Sequence, residues 1–132
     1  MGRAATTRIA KASGPRASAK AALHLRIDFG DERSIGPGKV RLLELIGETG
    51  SISAAGRALA MSYRQAWLLV DELNRMCREP AVVSQVGGGG GGGAAVTDIG
   101  RDIVRLYRDM ERRAQDATHA EMRSLSRLLA DD

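Results

Sequence analysis

Apolar and polar residues alternate strictly at the start of the patterned region. Leu23, Leu25, Ile27 and Phe29 face one way and His24, Arg26 and Asp28 the other, which predicts a half-buried strand over Leu23–Phe29. Gly30–Ser34 reads as a turn, and Ile35-Gly36-Pro37-Gly38 leads into the next element. From Lys39 to Glu48 the period lengthens, with Val40, Leu43 and Ile46 sharing a helical face. Gly50 is placed to end that helix, since glycine readily takes the left-handed conformation. Gly50–Asn74 then reads as two short helices joined by a tight turn. Ser53 is the predicted cap of the first, which carries Ala54, Ala55, Ala58 and Leu59. Ala60 and Met61 make the turn, and Ser62 caps a second helix carrying Ala66, Leu69, Val70 and Leu73. Pro80 stops this helix. Ala81–Val86 and Ala94–Val96 read as short strands around seven consecutive glycines, Gly87–Gly93. Thr97 caps a long final segment in which Ile99, Ile103, Leu106, Met110, Ala114, Ala117, Leu125, Leu128 and Leu129 recur at helical spacing. That segment is either continuous or broken near Ala117–Ala120.

The order strand, helix, helix-turn-helix, glycine-rich hairpin, long helix predicts a mostly α fold with a small β wing. It is a winged helix-turn-helix with a long C-terminal dimerisation helix. Residues 1–21 lack periodicity and read as a disordered basic arm. Residues 22–132 form the winged domain, the dimerisation helix covering about 97–130. A small domain cannot bury an amphipathic helix of that length alone, so a partner helix and hence a homodimer are expected.

Charge changes this picture in one respect. The net charge is +4, but residues 1–20 hold five basic side chains and no acid. The remainder carries 15 basic and 16 acidic side chains and is close to neutral. The basic arm reads either as a nucleic-acid contact or as a solvated tail. Aromatic residues are 3% of the chain, so the core is expected to be aliphatic. The single cysteine, Cys77, excludes an internal disulfide framework and fits a reducing, cytoplasmic setting. It lies on the apolar stripe of the second short helix and reads as a small buried hydrophobe. No apolar run approaches membrane-spanning length and no signal peptide is recognisable, so no membrane association is expected. His24 reads as an exposed surface residue. With two His and one Cys, no metal site and no cofactor are expected. Asp28, Asp31 and Glu32 cluster at a turn without a His or Cys, so no enzyme activity is expected.

The candidate chemistry is therefore recognition. On a helical wheel of about 100° per residue, Arg64 points away from Ala66, Val70 and Leu73. It lies near the helix N-terminus, where base-reading side chains sit. Ser62, Tyr63, Arg64 and Gln65 are expected to open this helix onto DNA, Arg64 making the base-edge contact. Ser51, Ser53 and Ser62 are candidates for phosphate contacts, helix capping being the alternative for each. Arg57, Arg101 and the glycines Gly88, Gly90 and Gly92 are further phosphate candidates; Arg57 and Arg101 read equally as ordinary exposed arginines. Trp67 sits on the wheel's boundary and reads as a core or shoulder residue. Ile103, Leu106, Met110, Ala114 and Ala117 are the expected dimerisation residues. The mixed-charge face from Arg101 to Arg113 reads as solvated.

The run IGPGKVRLLELIGETGSISAAGRALAMSYRQAWLLVDELN, followed by GGGGGGGAAVTDIG, resembles the N-terminal DNA-binding domain of ModE-type molybdate-responsive regulators. Its most specific parts are Gly50–Ser53, Ser62–Trp67 and the glycine-rich stretch up to Gly100. The helix-turn-helix also resembles the LysR type. The resemblance covers roughly Leu23 to Ala117. It implies a dimeric, sequence-specific transcriptional regulator on double-stranded DNA with a palindromic operator, acting on molybdate-transport or molybdenum-metabolism genes. Full-length members of that family sense molybdate through C-terminal domains. The 132 residues leave no room for one, so a single-domain form without direct molybdate binding is expected. The rival expectation is a winged-helix protein-interaction module acting with a larger regulator.

Overall fold

The computed structural model describes residues 21–86 and 93–131. The described chain divides into two units: His24–Arg112, and a second comprising residues 21–23 and 113–131.

In the first unit, β1 (Ile27–Asp28) pairs antiparallel with β2 (Ser34–Ile35), Ile27 opposite Ile35 and Asp28 opposite Ser34. The strand expected over Leu23–Phe29 is therefore only two residues long. The alternation itself persists, with Leu23, Leu25 and Ile27 half-buried between exposed neighbours. A turn at Asp31 and Glu32, both with positive φ, returns the chain after only two pairs of partners. Without a partner strand, alternation alone cannot extend a ladder.

Helix α1 (Pro37–Thr49) begins with proline in its first turn, where the missing N–H costs nothing, and ends on Gly50 at φ +74°. Helix α2 (Ile52–Ala58) is capped by Ser51, whose Oγ accepts from the Ala54 N–H at 3.0 Å. Ser53, the cap expected from sequence, lies inside the helix. The two serines are two positions apart, and only Ser51 has the extended backbone that a cap requires. The Ala60 and Met61 N–H groups donate back to the Arg57 and Gly56 carbonyls at 3.0 and 2.9 Å. This is a Schellman closure, with Ala60 at φ +57° in the place usually held by glycine. Helix α3 (Tyr63–Met76) starts from Ser62, whose Oγ accepts from the Gln65 N–H at 3.0 Å. It stops at Met76, four residues before Pro80. Cys77 thus lies just outside the helix, half-buried against the core, where burial raises its thiol pKa.

Leu42, Leu43 and Ile46 of α1 pack in one cluster with Ala55 of α2 and Ala66, Val70 and Leu73 of α3, and Val40 is buried as well. Gly56 lets α2 approach α3: a Cβ there would stand 2.9 Å from the Ala66 Cβ. The core is aliphatic, as its composition implies, apart from Tyr107, which is 2% exposed. Its hydroxyl donates to the Leu25 carbonyl at 2.7 Å and anchors the segment that precedes β1.

The wing consists of β3 (Val82–Gln85) and β4 (Gly93–Val96), antiparallel, with Val82 opposite Val96 and Gln85 opposite Gly93. Two side chains fix its base. Asn74 of α3 accepts from the Ala81 and Val82 N–H groups at 2.8 and 3.1 Å and donates to the Val82 carbonyl at 3.0 Å. Thr97 Oγ1 donates to the Pro80 carbonyl at 2.7 Å and caps α4 by accepting from the Gly100 N–H at 3.2 Å. The Ala94 N–H donates to the Gly50 carbonyl at 2.9 Å, so the wing is also tied to the α1–α2 junction.

Helix α4 (Asp98–Ala117) contributes residues to both units. In the first, Arg108 grips Glu44 of α1 with two parallel hydrogen bonds of 3.0 Å and reaches Glu111 at 2.7 Å. The charged face expected to be simply solvated is thus partly a tie to α1. In the second, Thr118 interrupts the helix before α5 (His119–Leu128), which places the expected break within Ala117–Ala120. Gln115 accepts from the Leu23 N–H at 3.1 Å within this unit.

The hydrogen bonds from Arg108 hold the Glu44 carboxyl below its usual range, outweighing the opposing effect of burial; Arg41 adds to the lowering. A carboxylate depressed in the folded state contributes stability above its unfolded pKa. That contribution is lost as pH falls through the folded value. Unfolding monitored from about pH 5 down to about pH 3 should show this loss. Glu44→Gln should flatten that dependence and cost about 1 kcal/mol at neutral pH, a modest figure because solvent reaches Arg108 and screens the pair.

Candidate nucleic-acid interface

The N-terminal half of α3 is presented to solvent by its own sequence pattern. Ala66, Val70 and Leu73 are buried, which turns Arg64, Gln65 and Leu68 outward. Along the same helix the charges are handled differently. Toward the C-terminal end, Arg75 pairs with Asp71 at 2.8 Å, and Glu72 pairs with Lys39 at 3.3 Å. Toward the N-terminal end, Arg64 has no carboxylate partner among the described residues, and the first turn carries no acid. The helix dipole and the guanidinium therefore present one positive feature together. Arg has the forked geometry that matches guanine O6 and N7.

Ser51 and Ser53 of α2, Tyr63 and Trp67 of α3, and Ser84, Gln85 and Gly93 of the wing line one open cleft of about 280 Å³. The structure thus brings the α2 N-terminus, the α3 N-terminus and the wing to a common surface. Ser51 and Ser62 are engaged as caps through the Oγ lone pairs, and each hydroxyl hydrogen stays available to an acceptor. Ser53 receives a long contact of 3.4 Å from Arg57. Arg57 is exposed at the edge of α2. Arg101 is differently placed: it donates to the Val96 carbonyl at 2.8 Å and pairs with Asp98, so its guanidinium already has partners. Gly88, Gly90 and Gly92 lie outside the described residues, as does the basic stretch 1–20.

Trp67 departs from the sequence expectation. It is 41% exposed and stands edge-on to Tyr63, itself 61% exposed, with ring centroids 6.2 Å apart. The wheel placed it on the boundary between the buried stripe and the outward face, and its ring stays partly exposed there.

Of the expected dimerisation residues, Ile103 packs on the core of its own chain, while Leu106 and Met110 are exposed. In the second unit Ala114 is half-buried and Ala117 exposed. Among the described residues no group of three or more His, Cys, Asp or Glu could hold a metal ion. None of the described helices is long and apolar enough to cross a membrane.

No family model matches the chain. It is similar to the molybdenum transport protein ModE of Azotobacter vinelandii, with 39% identity over 79 residues, 60% of this chain and 29% of that protein. It is similar to the molybdenum-pterin-binding protein MopB of Rhodobacter capsulatus, with 42% identity over 77 residues, 58% of this chain and 28% of that protein. The transcriptional regulator ModE of Haemophilus influenzae is 35% identical over 85 residues, 64% of this chain and 33% of that protein. The chain is thus similar to these proteins over about three-fifths of its residues, and spans about a third or less of their length. By name these relatives are a molybdenum transport protein, a molybdenum-pterin-binding protein and a transcriptional regulator. Among solved structures, ArgP of Mycobacterium tuberculosis aligns at 20% identity and a TM-score of 0.47, covering 66% of this chain and 30% of that one.

Proposed function

We propose that this chain is a sequence-selective DNA-binding module of a transcriptional regulator, working as a homodimer on a two-fold symmetric operator. The observation that carries the reading is the N-terminal half of α3: exposed, free of acid, flanked by the wing and bearing Arg64, which has no carboxylate partner among the described residues. In this reading α3 enters the major groove with Arg64 on a guanine edge. The Ser51, Ser53 and Ser62 hydroxyls and Arg57 meet phosphates, and the glycine wing lies along the backbone. Leu106 and Met110, with Ala114 and Ala117 beyond them, meet the same residues of a second copy. Two recognition helices would then enter successive major grooves about 34 Å apart. The relatives named for molybdenum transport and for transcriptional regulation point to molybdate-transport or molybdenum-metabolism genes as the regulated set.

A second reading, a winged-helix module that binds a larger protein, is favoured by the paired, neutral C-terminal half of α3 and by the exposed Leu68 beside it. Selection of bound genomic fragments by the purified chain separates the two. The DNA reading predicts recovery of a discrete set of duplexes whose affinity falls steeply with salt, as phosphate contacts release counterions. Stoichiometric complex formation with another protein and no salt-dependent DNA shift would replace it with the second reading.

A further inference from the structure

Among the described residues, neither Tyr63 nor Trp67 belongs to the hydrophobic core. Both rings belong to α3, one turn apart, Tyr63 mostly and Trp67 partly exposed. They contact each other edge to face. Keeping a tryptophan 41% exposed leaves apolar surface in water for no gain within the chain. Yet the pair stands on the flank of α3 beside Arg64, inside the cleft shared with Ser51, Ser53 and Gln85. An apolar ledge next to a cationic, hydroxyl-lined surface suits a partner that offers apolar groups close to phosphates. In the major groove of a duplex only one base edge offers such a group: the C5-methyl of thymine.

We propose that Tyr63 and Trp67 form a thymine-methyl reader, so that the recognised half-site carries thymine beside the guanine contacted by Arg64. The proposal rests on the DNA-binding reading and adds to it a second, apolar determinant of specificity. Arg64 selects through hydrogen bonds; the aromatic ledge selects through burial of a methyl group, which cytosine and uracil lack. Burying one methyl corresponds to about a fourfold gain in affinity.

The test uses a duplex recovered by selection with the full chain. Each thymine is replaced singly by deoxyuridine, which keeps base pairing and removes only the methyl. At one or two positions per half-site binding should weaken about fourfold, and at the others stay unchanged. Trp67→Ala should bind more weakly and lose its sensitivity at those same positions. Trp67 is the only tryptophan of the chain, so its emission is a direct second readout even if the alanine variant folds poorly. The thymine duplex should shift it to the blue, and the deoxyuridine duplex should shift it less. Binding that is indifferent to every deoxyuridine, or a deoxyuridine effect that persists undiminished in Trp67→Ala, overturns the methyl reader and leaves DNA binding standing. Recovery of no selective duplex overturns the DNA-binding reading and the methyl reader with it.

Discussion

Gly100→Ala should destabilise the unit His24–Arg112 by about 2–3 kcal/mol, although alanine is the better helix former by about 1 kcal/mol. Gly100 lies in the first turn of α4, where that helix crosses the base of the wing. A Cβ there would stand 2.5 Å from the Ala81 carbonyl oxygen and 2.6 Å from Val96 Cγ1. The valine methyl can rotate aside; the carbonyl cannot move without loss. It accepts from the Thr97 N–H at 2.9 Å and lies 3.2 Å from Thr97 Oγ1. The adjoining N–H of Ala81 is held by Asn74. The clash would therefore displace the whole junction of α3, wing and α4. Thermal unfolding should show Tm lowered by about 10 °C or more. An unchanged or raised Tm would mean that helix propensity outweighs the contact.

Arg64→Ala is expected to weaken specific binding by about 1–3 kcal/mol, roughly 5- to 150-fold, and to relax sequence preference. Binding to unrelated duplexes should change far less, because a single phosphate-independent contact is removed. The residue lacks an ion pair among the described residues, so its removal strands no buried carboxylate and should leave folding intact. Arg64→Lys should recover only part of the loss, since an ammonium lacks the planar fork that reads two acceptors at once. Titration of selected against scrambled duplex measures both effects. An unchanged ratio of the two affinities would remove Arg64 from the base-reading role.

Local rules made much of the fold legible. Ser62 as cap, Gly50 as the left-handed helix end, the Ala60–Met61 turn and the hairpin around the glycines all follow from chemistry within a few residues. Errors arose where a local rule admitted two solutions. Ser51 and Ser53 are equally good caps by type, and the backbone chose Ser51. Pro80 is the strongest breaker in its neighbourhood, but the helix had already ended at Met76. Nothing in the sequence announced the long-range ties. Tyr107 reaches Leu25 across 82 positions and Arg108 reaches Glu44 across 64. Asn74, which looks like an ordinary polar helix residue, holds the wing. Such partners are visible only once the chain is folded, because neither side chain carries a periodic or capping mark of its partner. The site divides in the same way. Arg64 was legible from its wheel angle, whereas a wheel that puts Trp67 on the boundary leaves open how much of its ring is exposed.

The central claim is that the N-terminal half of α3 sits in the major groove with Arg64 on guanine. Dimethyl sulfate reads this directly, because it methylates guanine N7, the atom that Arg64 would cover. On a selected duplex, two guanine positions about one helical turn apart should be protected by the native chain, and their protection should be lost with Arg64→Ala. Guanine N7 reactivity unchanged on a duplex that the chain nevertheless binds would contradict the account.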